Sequence, residues 1–137
     1  MKIVQIESEQ TLPIRHQVLW PNHDEDFCRV SGDDNGQHYG VYIDEQLVCV
    51  ASVFIEGQAA RLRKFATLVN YQQQGIGTAL ITEIVQQLTK SNVTYFWCDA
   101  RESALSFYSR FGMKPQGDRF YKGDVAYFKM SVELSLS

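Results

Sequence analysis

The sequence predicts an α/β protein, α+β in arrangement. It is expected to have a central mixed, mostly antiparallel sheet of about six to seven strands, flanked by about three to four helices. Three observations carry that expectation. Strand-like runs joined by tight polar turns occur at residues 38–55 and again at 114–132, and both read as antiparallel hairpins. Between them Ile76, Leu80, Ile84 and Leu88 recur every four residues, the stripe of an amphipathic helix. The nearly unbroken apolar run 93–98 then reads as a buried, parallel central strand. Hairpins and crossover helices together require a sheet of mixed direction.

At 137 residues the chain is long enough to bury a sizeable core and is expected to form one domain over 1–137. Hydrophobic residues make up 45% and charged residues 21%, as in a folded globular protein. The formal net charge of −3 argues against nucleic acid as a partner, since phosphate-binding proteins carry a basic surplus. Cys28, Cys49 and Cys98 are widely spaced and form no CxxC pair, so neither a disulfide framework nor a metal site is expected. The opening residues 1–7 turn charged too early for a signal peptide, and no run is long and apolar enough to span a bilayer. A cytoplasmic protein without membrane contact is the expectation, and the architecture admits a homodimer.

In chain order, residues 2–7 read as a strand through Ile3, Val4 and Ile6. Residues 11–20 read as a helix with Pro13 in its first turn and Pro21 after its end. The polar segment 22–37 allows one short helix near 24–30 and is expected to lie over a cleft. Strands follow at 38–43 and 46–55, joined by Asp44-Glu45, and a third at 61–69. A glycine-bearing loop leads into the helix at 75–90, then the strand at 93–98. A helix at 102–111 ends at Gly112, and strands at 114–121 and 124–132 turn at Lys122-Gly123-Asp124. Trp20, Tyr95, Phe96 and Trp97 are expected in the core.

The segment richest in chemistry runs from Arg61 to Leu80 and orders a strand, a loop with two glycines, and a helix. A helix start presents unpaired N–H groups and partial positive charge, which suit phosphate. Gly75 and Gly77 let the backbone approach a bulky anion. No Gly-Lys-Ser/Thr ends the loop, so it is not a Walker loop, and Leu80 stands where a dinucleotide fingerprint needs its third glycine.

Gln72-x-x-Gly75-x-Gly77 resembles the Gln/Arg-x-x-Gly-x-Gly/Ala signature of the GNAT superfamily of acyl-CoA-dependent N-acetyltransferases. Ala104-Leu105-Ser106-Phe107-Tyr108, running on to Gly112-Met113, is similar to that family's Ala-x-x-Phe-Tyr-x-x-x-Gly-Phe block. The order of elements agrees from about Gln37 onward. The resemblance implies the GNAT fold, acetyl-CoA as cosubstrate without a metal, and an amine acceptor left unidentified. It implies that Gln72, Gln73, Gln74, Gly75, Ile76, Gly77 and Thr78 form the coenzyme loop, with the amides from Gln73 to Thr78 on the pyrophosphate. It implies that the main chain of Phe65, Ala66 and Thr67 pairs with the pantetheine arm as an added strand would. It also puts Tyr108 beside the thioester sulfur, as hydrogen-bond donor or general acid. A phenol near pKa 10 has little drive to protonate a thiolate near 8.5, roughly, so the donor role is the better supported.

The chain also departs from the family pattern. Gln73-Gln74 stands where many relatives carry Arg-Gly or Arg-Lys, so less positive charge faces the phosphates; Val69 replaces a common proline, and Arg101 a common asparagine. Arg101 reaches the coenzyme or an anionic acceptor, or is solvated at a helix start. Arg61 stands where some relatives carry a glutamate base. Asp99, Glu56 and His38 are candidates by position, but Asp99 reads better as a cap on the helix beginning near Arg101, and His38 as a structural residue. Arg61, Arg63 and Lys64 form a basic patch that steers an anion or is a solvated strand face. Two rival readings stand: a coenzyme A-binding domain without catalysis, and nucleic-acid binding through that patch.

Overall fold

The computed structural model describes residues 1–134; the domain expected over 1–137 extends to residues 135–137, which lie outside the described residues. The elements run β1 (Lys2–Ile6), α1 (Ser8–Ile14), β2 (Gln37–Ile43), β3 (Gln46–Glu56), β4 (Ala59–Thr67), α2 (Ile76–Lys90), β5 (Tyr95–Arg101), α3 (Leu105–Ser109), β6 (Lys114–Lys122) and β7 (Val125–Glu133). The seven strands are hydrogen-bonded in the order β1-β2-β3-β4-β5-β7-β6. β4 and β5 run parallel, while β1–β2, β2–β3, β5–β7 and β6–β7 are antiparallel. The mixed, mostly antiparallel sheet read from the two hairpins is the one observed.

The chain forms two compact units, residues 1–54 with 63–84, and residues 55–62 with those from 85 onward; β4 and α2 each run from one into the other. In the first unit Val41, Val48, Val50 and Val53 of the β2–β3 hairpin supply a core with Leu12, Ile14, Ile76, Leu80, Ile81 and Ile84, all buried. The hairpin turns on Asp44 and Glu45, both at positive φ (50° and 69°), the hand that matches strand twist. α1 begins three residues earlier than its pattern suggests, because Gln10 Oε1 accepts from the Glu7 N–H at 2.8 Å and ties down the first turn. Pro13 therefore lies inside the helix instead of in its first turn. There its missing N–H breaks the ladder, and the helix continues as a wider π-turn over Arg15–Leu19. Segment 22–37 holds two short 3₁₀ turns, Glu25–Cys28 and Asp33–Asn35.

In the second unit β5 alternates. Phe96, Cys98 and Ala100 are buried, while Tyr95, Trp97 and Asp99 are partly open. The strand lies two to three residues later than its apolar run because pairing with β7, not hydrophobicity alone, sets its extent: Arg101 pairs with Tyr127. Of the aromatics expected in the core, Phe96 alone is fully buried; Trp20, Tyr95 and Trp97 are half-open. The β4–β5 ladder consists of Ala59, Ala60 and Arg61 opposite Tyr95, Phe96 and Trp97. Gly112, at φ 82°, ends the turn after α3 as a left-handed glycine should.

Candidate active site

β4 leads through a 3₁₀ turn, Val69–Tyr71, into the loop that opens α2. Two glutamines of the loop bond back onto the chain. Gln72 Nε2 donates to the Thr67 carbonyl and Gln74 Nε2 to the Asn70 carbonyl, each at 2.9 Å. Gln73 and Gly75 adopt positive φ (61° and 82°), which turns the chain sharply into the helix. The Ala79 N–H donates to the Gly75 carbonyl at 3.0 Å, so the N–H groups of Ile76, Gly77 and Thr78 precede the helical ladder. A Cβ built on Gly75 would meet no atom within 4 Å. An uncharged, glycine-turned helix start with amides ahead of the ladder suits a diphosphate, so these residues fit the coenzyme the sequence implies.

Upstream on β4, Ala66 is buried while Phe65 and Thr67 are partly open. Lys64 interrupts the strand with a φ of 55°, a left-handed residue at a place where the chain otherwise runs extended. All the expected coenzyme-loop and strand residues belong to the first unit.

Tyr108 lies on α3 in the second unit, its ring 5.1 Å from that of Phe107 in an edge-on arrangement. Burial, and then the Cys98 thiol, pushes its hydroxyl well above the ordinary phenol value. The group is thus a neutral donor. Cys98 is itself pushed up to about 12, by burial first, and Cys49 to about 11. All three cysteines are free and buried, which removes Cys98 as a nucleophile.

Of the candidate bases, His38 is buried at 5% exposure with both ring nitrogens engaged. Nε2 lies 2.8 Å from the Asp33 carbonyl, which can only accept, and Nδ1 lies 2.7 Å from Ser52 Oγ. That makes it structural. Asp99 does not cap the turn that follows, which begins at Arg101 with no side-chain cap; its Oδ2 accepts from Arg61 Nη2 at 2.9 Å and lies 3.6 Å from Lys122 Nζ. Glu56 and Arg101 are exposed. The basic patch is not a bare strand face: Arg61 stands over Trp97, Arg63 over Phe54 and Lys64 over Trp20, at 4.7, 6.0 and 4.3 Å from the ring centroids.

Arg15, which no motif in the sequence singles out, is fully buried. Its Nη1 donates to Asp33 Oδ2 (2.8 Å) and the Cys28 carbonyl (3.1 Å), and its Nη2 to Asp33 Oδ1 (3.1 Å) and Ser52 Oγ (2.9 Å). One guanidinium thus ties segment 22–37 to β3, and His38 of β2 joins the network through Ser52 and the Asp33 carbonyl. Burial alone would raise the Asp33 carboxyl, but the bonds from Arg15 and the Val30 N–H hold it below its usual value. The available signal was positional: residue 15 continues the buried stripe of Thr11, Leu12 and Ile14, where a charge needs a buried partner.

Among the described residues no group of three or more His, Cys, Asp and Glu side chains could hold a metal ion, and no helix is long and apolar enough to cross a membrane. A family model described as an acetyltransferase (GNAT) domain matches residues 22–134. An uncharacterised N-acetyltransferase of Bacillus subtilis strain 168, YitI, is 33% identical over an alignment covering 88% of this chain and 87% of that protein. Among solved structures, the ribosomal-protein-S18-alanine N-acetyltransferase of Escherichia coli gives a TM-score of 0.85 at 18% identity, covering 99% of this chain and 95% of that one. A Bacillus subtilis acetyltransferase in complex with CoA gives 0.76 at 14% identity, covering 98% and 99%. At those identities the structural likeness speaks for the fold alone.

Proposed function

The chain belongs to the GNAT acetyltransferases, and from that premise we propose that it works as one domain moving an acetyl group from acetyl-CoA directly to an amine held beside it. The observation that carries this reading is the start of α2, where the amides of Ile76, Gly77 and Thr78 precede the ladder behind a left-handed Gly75. Gln73 to Thr78 would grip the pyrophosphate, with Gln72 and Gln74 holding the loop in shape through their bonds to Thr67 and Asn70. The main chain of Phe65, Ala66 and Thr67 would pair with the pantetheine arm, supported by a β4–β5 ladder that stops at Arg61.

In the reaction the amine nitrogen forms a bond to the acetyl carbon, the carbon–sulfur bond breaks, and the amine proton leaves to solvent or a base. Tyr108 would donate a hydrogen bond to the sulfur as negative charge grows there. Its raised value makes outright proton transfer to a thiolate still less favourable than for an ordinary phenol. Holding both reactants in one site supplies much of the acceleration. No covalent enzyme intermediate is needed.

A second reading, a coenzyme A-binding module without catalysis, draws support from the two engaged candidate bases, His38 and Asp99. One experiment separates them: incubation with acetyl-CoA and a panel of amines, following free thiol. Acceptor-dependent thiol release supports the enzyme; saturable coenzyme binding with no such release supports the module.

A further inference from the structure

The open face of β5 carries a charge arrangement that the proposed reaction does not use. On this face Asp99 pairs in register with Lys129 of β7, and Trp97 with Arg61 of β4, so these four side chains share one side of the sheet. Lys122, from the end of β6, reaches the same carboxylate. Two cations therefore pair with one anion, and a third, Lys129, stands opposite it in register. The arrangement is partly withdrawn from water: the Asp99 side chain is 18% exposed and that of Arg61 30%, whereas Lys122 is 51% exposed. Arg61 Nε is buried with no hydrogen-bond partner, a donor left over after Nη2 has bonded to Asp99. Rings wall the cluster, since Lys129 Nζ lies 4.7 Å from the Trp97 centroid and Lys122 Nζ 4.7 Å from that of Tyr127. Glu102, on the turn after β5, does not balance the surplus, because Arg119 takes it at 2.5 Å.

The cluster lies one residue along β5 from Cys98, whose side chain faces the other way, and α3, which carries Tyr108, packs on this same strand. We infer that Arg61, Lys122 and Lys129 form a subsite for a compact anionic group, a carboxylate or a phosphate, carried by the amine that accepts the acetyl group. This rests on the reading of Tyr108 as the residue beside the thioester. Asp99 fixes the Arg61 guanidinium, while Lys122, exposed and 3.6 Å from Asp99, and Lys129, held over Trp97, present their ammonium groups to the anion. Positive charge partly removed from water gains from an anionic group that supplies its counter-charge. The acceptor class follows: amino acids, amino-phosphates and their kin, in preference to neutral or polycationic amines.

The test uses the Trp97 indole N–H signal in the NMR spectrum of a Trp20→Phe protein, titrated with phosphoethanolamine, γ-aminobutyrate and ethanolamine. A saturable shift with the phosphate probe, the carboxylate probe or both, and none with ethanolamine, is expected; the stronger of the two arms identifies the anion. Lys122→Gln, on an exposed hairpin, should weaken the interaction about tenfold, as should Arg61→Gln. Kinetics with acetyl-CoA should give an about tenfold higher kcat/KM for the anionic amine than for ethanolamine, with that preference lost in Lys122→Gln through KM. No saturable shift, equal shifts for all three probes, an effect unchanged in Lys122→Gln, or displacement of the probe by coenzyme A itself would each overturn the subsite. Anion binding without any kinetic preference would overturn its role in acceptor choice. Failure of the coenzyme reading shows separately, as the absence of coenzyme A-induced thermal stabilisation.

Discussion

Tyr108 and Arg15 are both polar groups taken out of water, and their fates differ because only one has a charged partner. The Tyr108 hydroxyl is held neutral, so it donates hydrogen bonds across the range in which an amine acetyltransferase would operate. Tyr108→Phe should lower kcat on the order of 10²-fold while leaving coenzyme affinity unchanged, measured by steady-state kinetics and calorimetry. A folded-state value raised above the usual phenol near 10, roughly, places its deprotonation beyond that pH, so the rate should show no alkaline fall assignable to Tyr108 below about pH 10. Arg15 is charged, and its two terminal nitrogens bond to Asp33, Ser52 and the Cys28 carbonyl, leaving only its buried Nε without a partner among the described residues. Arg15→Ala strands a part-buried carboxylate and should cost about 3–5 kcal/mol in urea unfolding. The sign of the pH effect is fixed by Asp33: its depressed value means the pair's contribution is present above about pH 4 and lost as pH falls through the folded value. Tyr108 was singled out through the resemblance of its block, Ala104 to Met113, to that of the family. Arg15 was not, because a lone arginine in a helix pattern is normally solvated and its partners come from three other segments.

At the scale of elements, the turn from β4 into α2 is the clearest case of sequence dictating shape. Gly75 needs a left-handed φ, and the following residues carry the stripe Ile76, Leu80, Ile84 and Leu88, all buried as the four-residue spacing requires. Gly75→Ala meets no steric neighbour, so its cost is backbone strain, about 1 kcal/mol, with a weakened coenzyme Kd as the readout. The stretch from Val69 to Thr78 has no lysine or arginine, so phosphate recognition there would come from amides and the helix dipole. Coenzyme affinity should accordingly vary little between about 0.05 and 0.5 M salt, unlike a lysine- or arginine-lined site; a steep decline in calorimetric Kd would contradict the amide cradle. Element limits were less legible. β5 and α1 both ended up displaced, the first by its pairing with β7 and the second by a glutamine reaching back to Glu7.

At the scale of the molecule, β4 and α2 each thread both compact units, which is why we propose one cooperative domain. Thermal unfolding followed at two wavelengths should give a single transition. Coenzyme A at a hundred times its Kd should stabilise that transition by about 2.7 kcal/mol, read as an upward shift in Tm. No shift would remove the coenzyme reading altogether. The open face of β5 also emerges only at this scale. Trp97 and Tyr95 read as core from their hydrophobicity, yet on this strand they alternate with Phe96 and Cys98, and only the latter pair is covered.

By itself the sequence determined the hairpins, the α2 stripe, the glycine turn and the two motifs that mark the family, because each rests on residues a few positions apart whose geometry is local. Tertiary structure alone decided that Arg15 is buried on Asp33, that His38 is structural, and that Arg61 and Lys122 converge on Asp99. Those outcomes join residues 18 to 38 positions apart or on different strands. Long-range pairing of charges depends on which strands become neighbours, and no local periodicity encodes that choice.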